Sequence, residues 1–138
     1  MKAVILYICL SIIVSAQPDN KIHELSGWKF IAFQGTEKVY YLPASLRSVG
    51  DIFRVKLLCR SEGHAEIQYT VFVEDYNRVN ATNRVVQVNT YNKFWQPVDE
   101  INIERSGETE QWVHIKKGTE PYKLFEKLLA GVENRFED

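Results

Sequence analysis

Asp51-Ile-Phe-Arg-Val-Lys-Leu-Leu-Cys-Arg60 and Ala65-Glu-Ile-Gln-Tyr-Thr-Val-Phe-Val-Glu-Asp-Tyr76 are the two stretches on which the fold turns. Both are rich in β-branched and aromatic residues, and only Ser61-Glu62-Gly63-His64, a run of turn formers, separates them. They therefore read as an antiparallel hairpin. Alternation in the second stretch assigns Ile67, Tyr69, Val71, Val73 and Asp75 to one face and Gln68, Thr70, Phe72, Glu74 and Tyr76 to the other. The first set is expected to be the core face.

Working towards the N-terminus, Val49-Gly50-Asp51 is a turn and Pro43 to Arg47 a single proline-led helical turn. Lys38 to Leu42 is a strand, joined through the break Gly35-Thr36-Glu37 to another at Trp28 to Gln34, whose apolar residues fall on both parities and suit a strand covered on both sides. Towards the C-terminus, Asn77 to Asn80 is a turn cluster and Thr82 to Asn92 a half-exposed strand. Val98 to Ile103 is a short edge strand, Glu104 to Glu108 a charged loop, and Gln111 to Ile115 a last extended piece.

The period then changes from two to about 3.6. Tyr122, Phe125, Leu128, Leu129, Val132 and Phe136 share one helical face, with Lys123, Glu126, Lys127 and Glu133 opposite. Thr119 is the expected N-cap, Glu120 complements the helix dipole and Pro121 is tolerated in the first turn, while Gly131 weakens the helix and marks a place for fraying. A run of strands with one face to bury, and one amphipathic helix to cover it, predicts an α+β fold. The expectation is an antiparallel meander of about five to six strands packed by a C-terminal helix.

Residues 1–16 read as a secretory signal peptide. Lys2 supplies the charge, Ala3 to Ile13 the apolar run, and Val14-Ser15-Ala16 the small residues before the cleavage point. The run is shorter than the about 20 apolar residues that span a bilayer core of roughly 30 Å, so no transmembrane span is expected after cleavage. Gln17, not cysteine, follows, so no lipid anchor is expected either. Residues 17–26 read as a flexible polar lead and residues 27–138 as a single domain, with an exported location in the periplasm or at the cell surface.

Cleavage removes Cys9 and leaves Cys59 as the sole thiol, which excludes an intramolecular disulfide. In the apolar run Val55 to Cys59 it reads as a buried small hydrophobe ahead of a reactive or intermolecular thiol. The formal charge is −1, one unit more negative after cleavage, and no basic stripe of the kind that phosphate backbones require is visible. Nucleic acid is not an expected partner.

His23, His64 and His114 lie in a tail, a turn and a strand without ligand spacing, so no metal and no cofactor are expected. The adjacent acids Glu74-Asp75 and Asp99-Glu100 point to opposite faces of their strands and cannot act as acid–base couples. No nucleophile elbow or phosphate loop is present. The chain reads as non-enzymatic, with a small exported enzyme using His64 or His114 beside a carboxylate as the third alternative. Asn80-Ala81-Thr82 matches a glycosylation sequon, which matters only in a eukaryotic secretory route. Tyr76, Tyr91, Phe94 and Trp95, dense around the later turns, are the candidate partner-binding residues, against the plainer reading that Phe94 and Trp95 plug the end of the sheet.

Trp28, then Val39-Tyr-Tyr-Leu-Pro-Ala-Ser-Leu-Arg47, then Gly50-Asp51 leading into Arg54-Val-Lys-Leu-Leu58, and finally Trp112-Val-His-Ile115 with Gly118-Thr119 before the helix, form an ordered set of motifs. The set resembles the bacterial surface-adhesin protein E-like family, over about residues 28–130. The resemblance implies a small antiparallel sheet with a C-terminal helix and a role in binding host extracellular-matrix or serum proteins; the alternative role is that of an accessory subunit of a cell-envelope assembly. Such proteins often join a cysteine after the strand matching Glu74-Asp75 to one in the helix. Here Tyr76 stands near the first place and the helix has no cysteine, so the staple is absent.

Overall fold

The computed structural model describes residues 26–61, 66–103 and 111–136, and for Arg135 and Phe136 the backbone alone. The expected signal peptide and nearly all of the expected polar lead, the expected turn containing His64, the expected charged loop Glu104 to Glu108 and the Phe136 side chain lie outside the described residues.

The expected meander is present. Strands β1 (Lys29–Gln34), β2 (Glu37–Tyr41), β4 (Ile52–Arg60), β5 (Tyr69–Asn77), β6 (Thr82–Tyr91) and β7 (Pro97–Asn102) hydrogen-bond in that order, all antiparallel, with β3 (Arg47–Val49) and β8 (Val113–His114) at the side. One helix, α1 (Glu120–Phe136), closes the described chain. The architecture is α+β.

The short strands have a common explanation. Strands β4, β5 and β6 are the long ones, and each outer edge of this trio is shared by two short partners. Along β4, β3 pairs with Ile52 to Arg54 and β2 with Leu57 to Cys59, the one-turn 3₁₀ helix Pro43–Ser45 bridging the gap. Ser45 locks that bridge, its hydroxyl donating to the Leu42 carbonyl at 2.6 Å and accepting the Lys56 amide at 2.9 Å. Along β6, β8 takes Thr82 and Asn83 and β7 takes Gln87 to Tyr91.

Three register shifts curl the sheet, because an extra residue in one strand bends it and increases its twist. They fall at Ile31 in β1, Val86 in β6 and Val98 in β7. The first changes the sequence-based reading of β1. The shift lets the consecutive residues Ile31 and Ala32 both turn inward, at 8% and 7% exposure, while Phe30 and Phe33 face out. Strand β1 is thus not covered on both faces. The Ile31 carbonyl, released from the ladder, accepts the Lys127 ammonium at 2.9 Å and ties the helix to the sheet edge.

The expected core face of β5 is buried, with Tyr69, Val71 and Asp75 at 0%, 7% and 2% exposure, but the main core and the helix lie on the other face. The helix lies over Phe72, Glu74 and Tyr76, not over Tyr69, Val71 and Asp75. Its buried residues Leu124, Phe125, Leu128 and Val132 join Val39, Leu46, Phe53, Val55, Leu57, Cys59 and Tyr76 in the main core. The Phe53, Tyr76 and Phe125 rings stack with centroids 5.2 to 6.5 Å apart. Polarity misled the reading, since Glu74 and Tyr76 look like solvent-facing residues. In the structure Tyr76 Oη donates to Glu74 Oε2 at 2.7 Å, so both polar ends are satisfied inside. Leu124, 2% exposed, also belongs to the buried helix face although it was not among the periodic set.

Thr119 caps the helix as expected, its hydroxyl accepting the Tyr122 amide at 3.4 Å. Glu120 does more than complement the dipole, for its carboxylate accepts the Gly35 amide at the tip of the β1–β2 hairpin, 3.0 Å away. Gly131 does not end the helix. The helix runs on to Phe136, and a Cβ at Gly131 would lie 3.9 Å from Tyr41 Oη, an ordinary contact.

Candidate functional site

The sheet face turned away from the helix carries a second, smaller apolar cluster. Leu58, Tyr69, Val71 and Trp95 are buried there, with Trp28, Tyr40 and Tyr91 packed around them. The Tyr69 and Trp95 rings stack at 4.1 Å and 12°, and Tyr91 lies 5.4 Å from Trp95. Pairing of Tyr69 with Tyr91 across β5 and β6 puts these rings at one end of the sheet.

The β6–β7 connection is built on Asn92. Its side-chain oxygen accepts the amides of Phe94 at 2.9 Å and Gln96 at 3.0 Å, and its side-chain nitrogen donates to Gln96 Oε1 at 2.8 Å. The Trp95 amide donates to the Asn92 carbonyl at 3.0 Å. Trp95 has φ of 61°, a left-handed conformation that costs a non-glycine residue on the order of 1 kcal/mol or more. That conformation sends neighbouring rings to opposite fates: Trp95 is 7% exposed against Tyr69, whereas Phe94 is 57% exposed beside exposed Pro97 and Val98. Lys93 Nζ stands 5.1 Å from the Phe94 ring centroid.

The structure therefore brings Tyr91, Phe94 and Trp95 together and leaves Tyr76 apart. Tyr76 sits at the other end of β5, on the helix face, 2% exposed between Phe53 and Phe125, and offers no ring surface to a partner. Trp95 is a wall and Phe94 the exposed tip, so the plug reading holds for Trp95 and not for Phe94. Trp28, Phe30, Phe33 and Tyr40 share the Trp95 face and were not singled out from sequence. Phe30 and Phe33 are 49% and 51% exposed, and Phe30 contacts both Phe33 and Tyr40 edge to face. Only the β1 register shift reveals that both phenylalanines point outward.

Charge on this face is organised around Asp75, 2% exposed. Arg54 Nε donates to Asp75 Oδ1 at 2.6 Å and Arg54 Nη2 to Oδ2 at 3.0 Å; Arg84 adds Nε and Nη2 bonds to Oδ2 at 3.2 and 3.1 Å. Arg84 also covers the Trp112 ring at 4.4 Å. Register explains the triad, since Arg54, Asp75 and Arg84 occupy facing positions on three neighbouring strands.

Among the described residues the other candidate chemical groups stand apart. His114 is exposed on β8 opposite Thr82. Cys59 is free and buried, its thiol pushed up to about 11, mainly by burial and further by the carboxylates of Glu37 and Glu74. No group of three or more His, Cys, Asp or Glu side chains able to hold a metal occurs among the described residues. No helix among them is long and apolar enough to cross a membrane.

No family model matches the sequence, and no curated protein does. Among solved structures the chain is similar to protein E from non-typeable Haemophilus influenzae, with a TM-score of 0.55 and 11% sequence identity over 80% of each chain. That likeness is one of fold, without close sequence agreement.

Proposed function

We propose that the protein is an exported, non-enzymatic binding domain that holds a protein partner at the β6–β7 tip, with Phe94 as the anchor and Tyr91 and Trp95 as its support. The observation that carries this reading is the Asn92 hub. Three side-chain hydrogen bonds and a left-handed Trp95 hold one large apolar ring out in water. An exposed aromatic on a rigid loop loses little conformational freedom on binding, and such residues dominate interface energetics. The fold likeness to protein E and the motif resemblance to the surface-adhesin protein E-like family support a partner among host extracellular-matrix or serum proteins. The leader-like first sixteen residues support export to the periplasm or cell surface.

Solid-phase binding of the mature protein to a panel of purified matrix and serum proteins tests this. Saturable binding is expected to at least one of them, and Phe94→Ala should weaken it by about tenfold or more, the mark of a hot spot, with an unchanged melting temperature. Binding to none removes the matrix version, and equal binding by Phe94→Ala removes the tip.

A further inference from the structure

Beside the Trp95 wall, on the sheet face turned away from the helix, lies a hollow of about 280 Å³ that shares Tyr91 and Trp95 with the proposed tip but is not filled by it. Its volume falls near the lower end of the roughly 300–1,000 Å³ typical of small-molecule sites, so it takes one ring and its substituents. Trp28, Tyr91 and Trp95 supply flat aromatic walls, over Val71 and Val73. Lys56, Gln87 and Asn89 supply the polar lining.

The polar groups are partly committed, and what they leave over is informative. Gln87 Nε2 donates to Asn89 Oδ1 and to Glu100 Oε1, each at 3.2 Å. The Gln87 carbonyl oxygen and the Asn89 amide nitrogen remain without a partner among the described residues, an acceptor and a donor on two lining residues, the two functions a hydroxyl uses. Trp95 Nε1 is a further buried donor with no acceptor there. Lys56 is exposed and has no counter-ion among the described residues.

Lys56 is the one charged residue in the lining of the hollow. On the same sheet face Arg54 and Arg84 both bond Asp75, while Glu100 stands on β7, three strands away from Lys56 and already held by Gln87. Flat apolar walls, paired hydroxyl partners and an unpaired ammonium match a pyranose ring, whose C–H faces are apolar and whose rim is hydroxylated, carrying one carboxylate.

We infer that this hollow binds an acidic sugar residue of the uronate type, its ring against Trp28 and Tyr91, its hydroxyls on Gln87 and Asn89, and its carboxylate at Lys56. The residue comes either as a free sugar acid or as a unit of an anionic glycan.

Tryptophan emission of the mature protein, titrated with glucuronic acid, with a uronate-containing oligosaccharide and with glucose, tests the inference. Saturable changes are expected with the two acids, at least about fivefold weaker with glucose, as loss of one rim charge contact implies. Lys56→Met should weaken the acids by the same factor and leave glucose unchanged. The exposed control Lys117→Met should bind as the original chain does. Tighter binding of the oligosaccharide identifies a glycan as the source, and equal binding identifies the free acid. No saturation with either acid, or undiminished acid binding by Lys56→Met, overturns the inference.

Discussion

Replacing Asp75 by Asn should destabilise the protein by about 2–3 kcal/mol. Asp75 is the one charged residue buried within the described chain at 2% exposure, and it holds two guanidiniums through four hydrogen bonds of 2.6 to 3.2 Å. Removing one partner of a buried ion pair costs about 3–5 kcal/mol, because the other charge is left uncompensated. Both arginines, however, retain contact with water, with side-chain exposures of 38% for Arg54 and 24% for Arg84. Solvent screens the Arg54 share towards the about 0–1 kcal/mol of a surface pair, which lowers the total below the buried range. Urea unfolding measures it. With a slope of about 1.5 kcal/mol/M, the midpoint should fall by about 1.3–2 M at unchanged slope. The triple replacement Arg54→Met, Asp75→Leu, Arg84→Leu should recover most of the loss, since apolar groups of similar volume substitute well for a buried ionic cluster. A loss below about 0.5 kcal/mol for Asp75→Asn would refute the claim that this triad holds the three central strands together.

Glu74 gives a pH signature. Burial raises its carboxyl above the usual 4.5, outweighing the lowering effect of the Tyr76 hydrogen bond. The folded state thus favours the protonated acid, a contribution complete below about pH 4.5 and lost as pH rises through the folded value. Glu74→Gln should gain stability over the original chain at pH 7 and show a smaller difference between midpoints at pH 4 and pH 7; identical differences in the two proteins would contradict it. The Cys59 thiol, raised from 9.0 to about 11, should react with a disulfide reagent at neutral pH about a hundredfold more slowly than an unperturbed thiol, as its thiolate fraction falls by that factor. Its stabilising contribution is held below about pH 9 and lost as pH rises through about 11, so the native chain should weaken at alkaline pH more than Cys59→Ala does. Gly131→Ala should raise the melting temperature by several degrees, for a gain of up to about 1 kcal/mol, because the helix continues past it and the new Cβ meets only Tyr41 Oη at 3.9 Å.

The division between sequence and structure follows the range of the forces. Strand order, the helix, its Thr119 cap and the buried state of Cys59 were legible in the sequence, because each rests on local alternation, period or capping. What sequence could not reveal was which face of β5 the helix covers. Glu74 and Tyr76 satisfy each other inside the core, and Asp75 meets its two arginines on the other face, so both faces are buried and polarity alone does not mark the one under the helix. The candidate site was half legible. Clustering near the turns pointed to Tyr91, Phe94 and Trp95, but grouped Tyr76 with them although it lies at the other end of β5. Trp28, Phe30, Phe33 and Tyr40 were not named as site residues, since Phe33 joins the face of Phe30 only through a register shift at Ile31 that leaves no mark in the pattern of residues. Local propensity thus determined the elements of this protein. Tertiary packing, which pairs distant polar groups and sets each bulge, decided the faces they present.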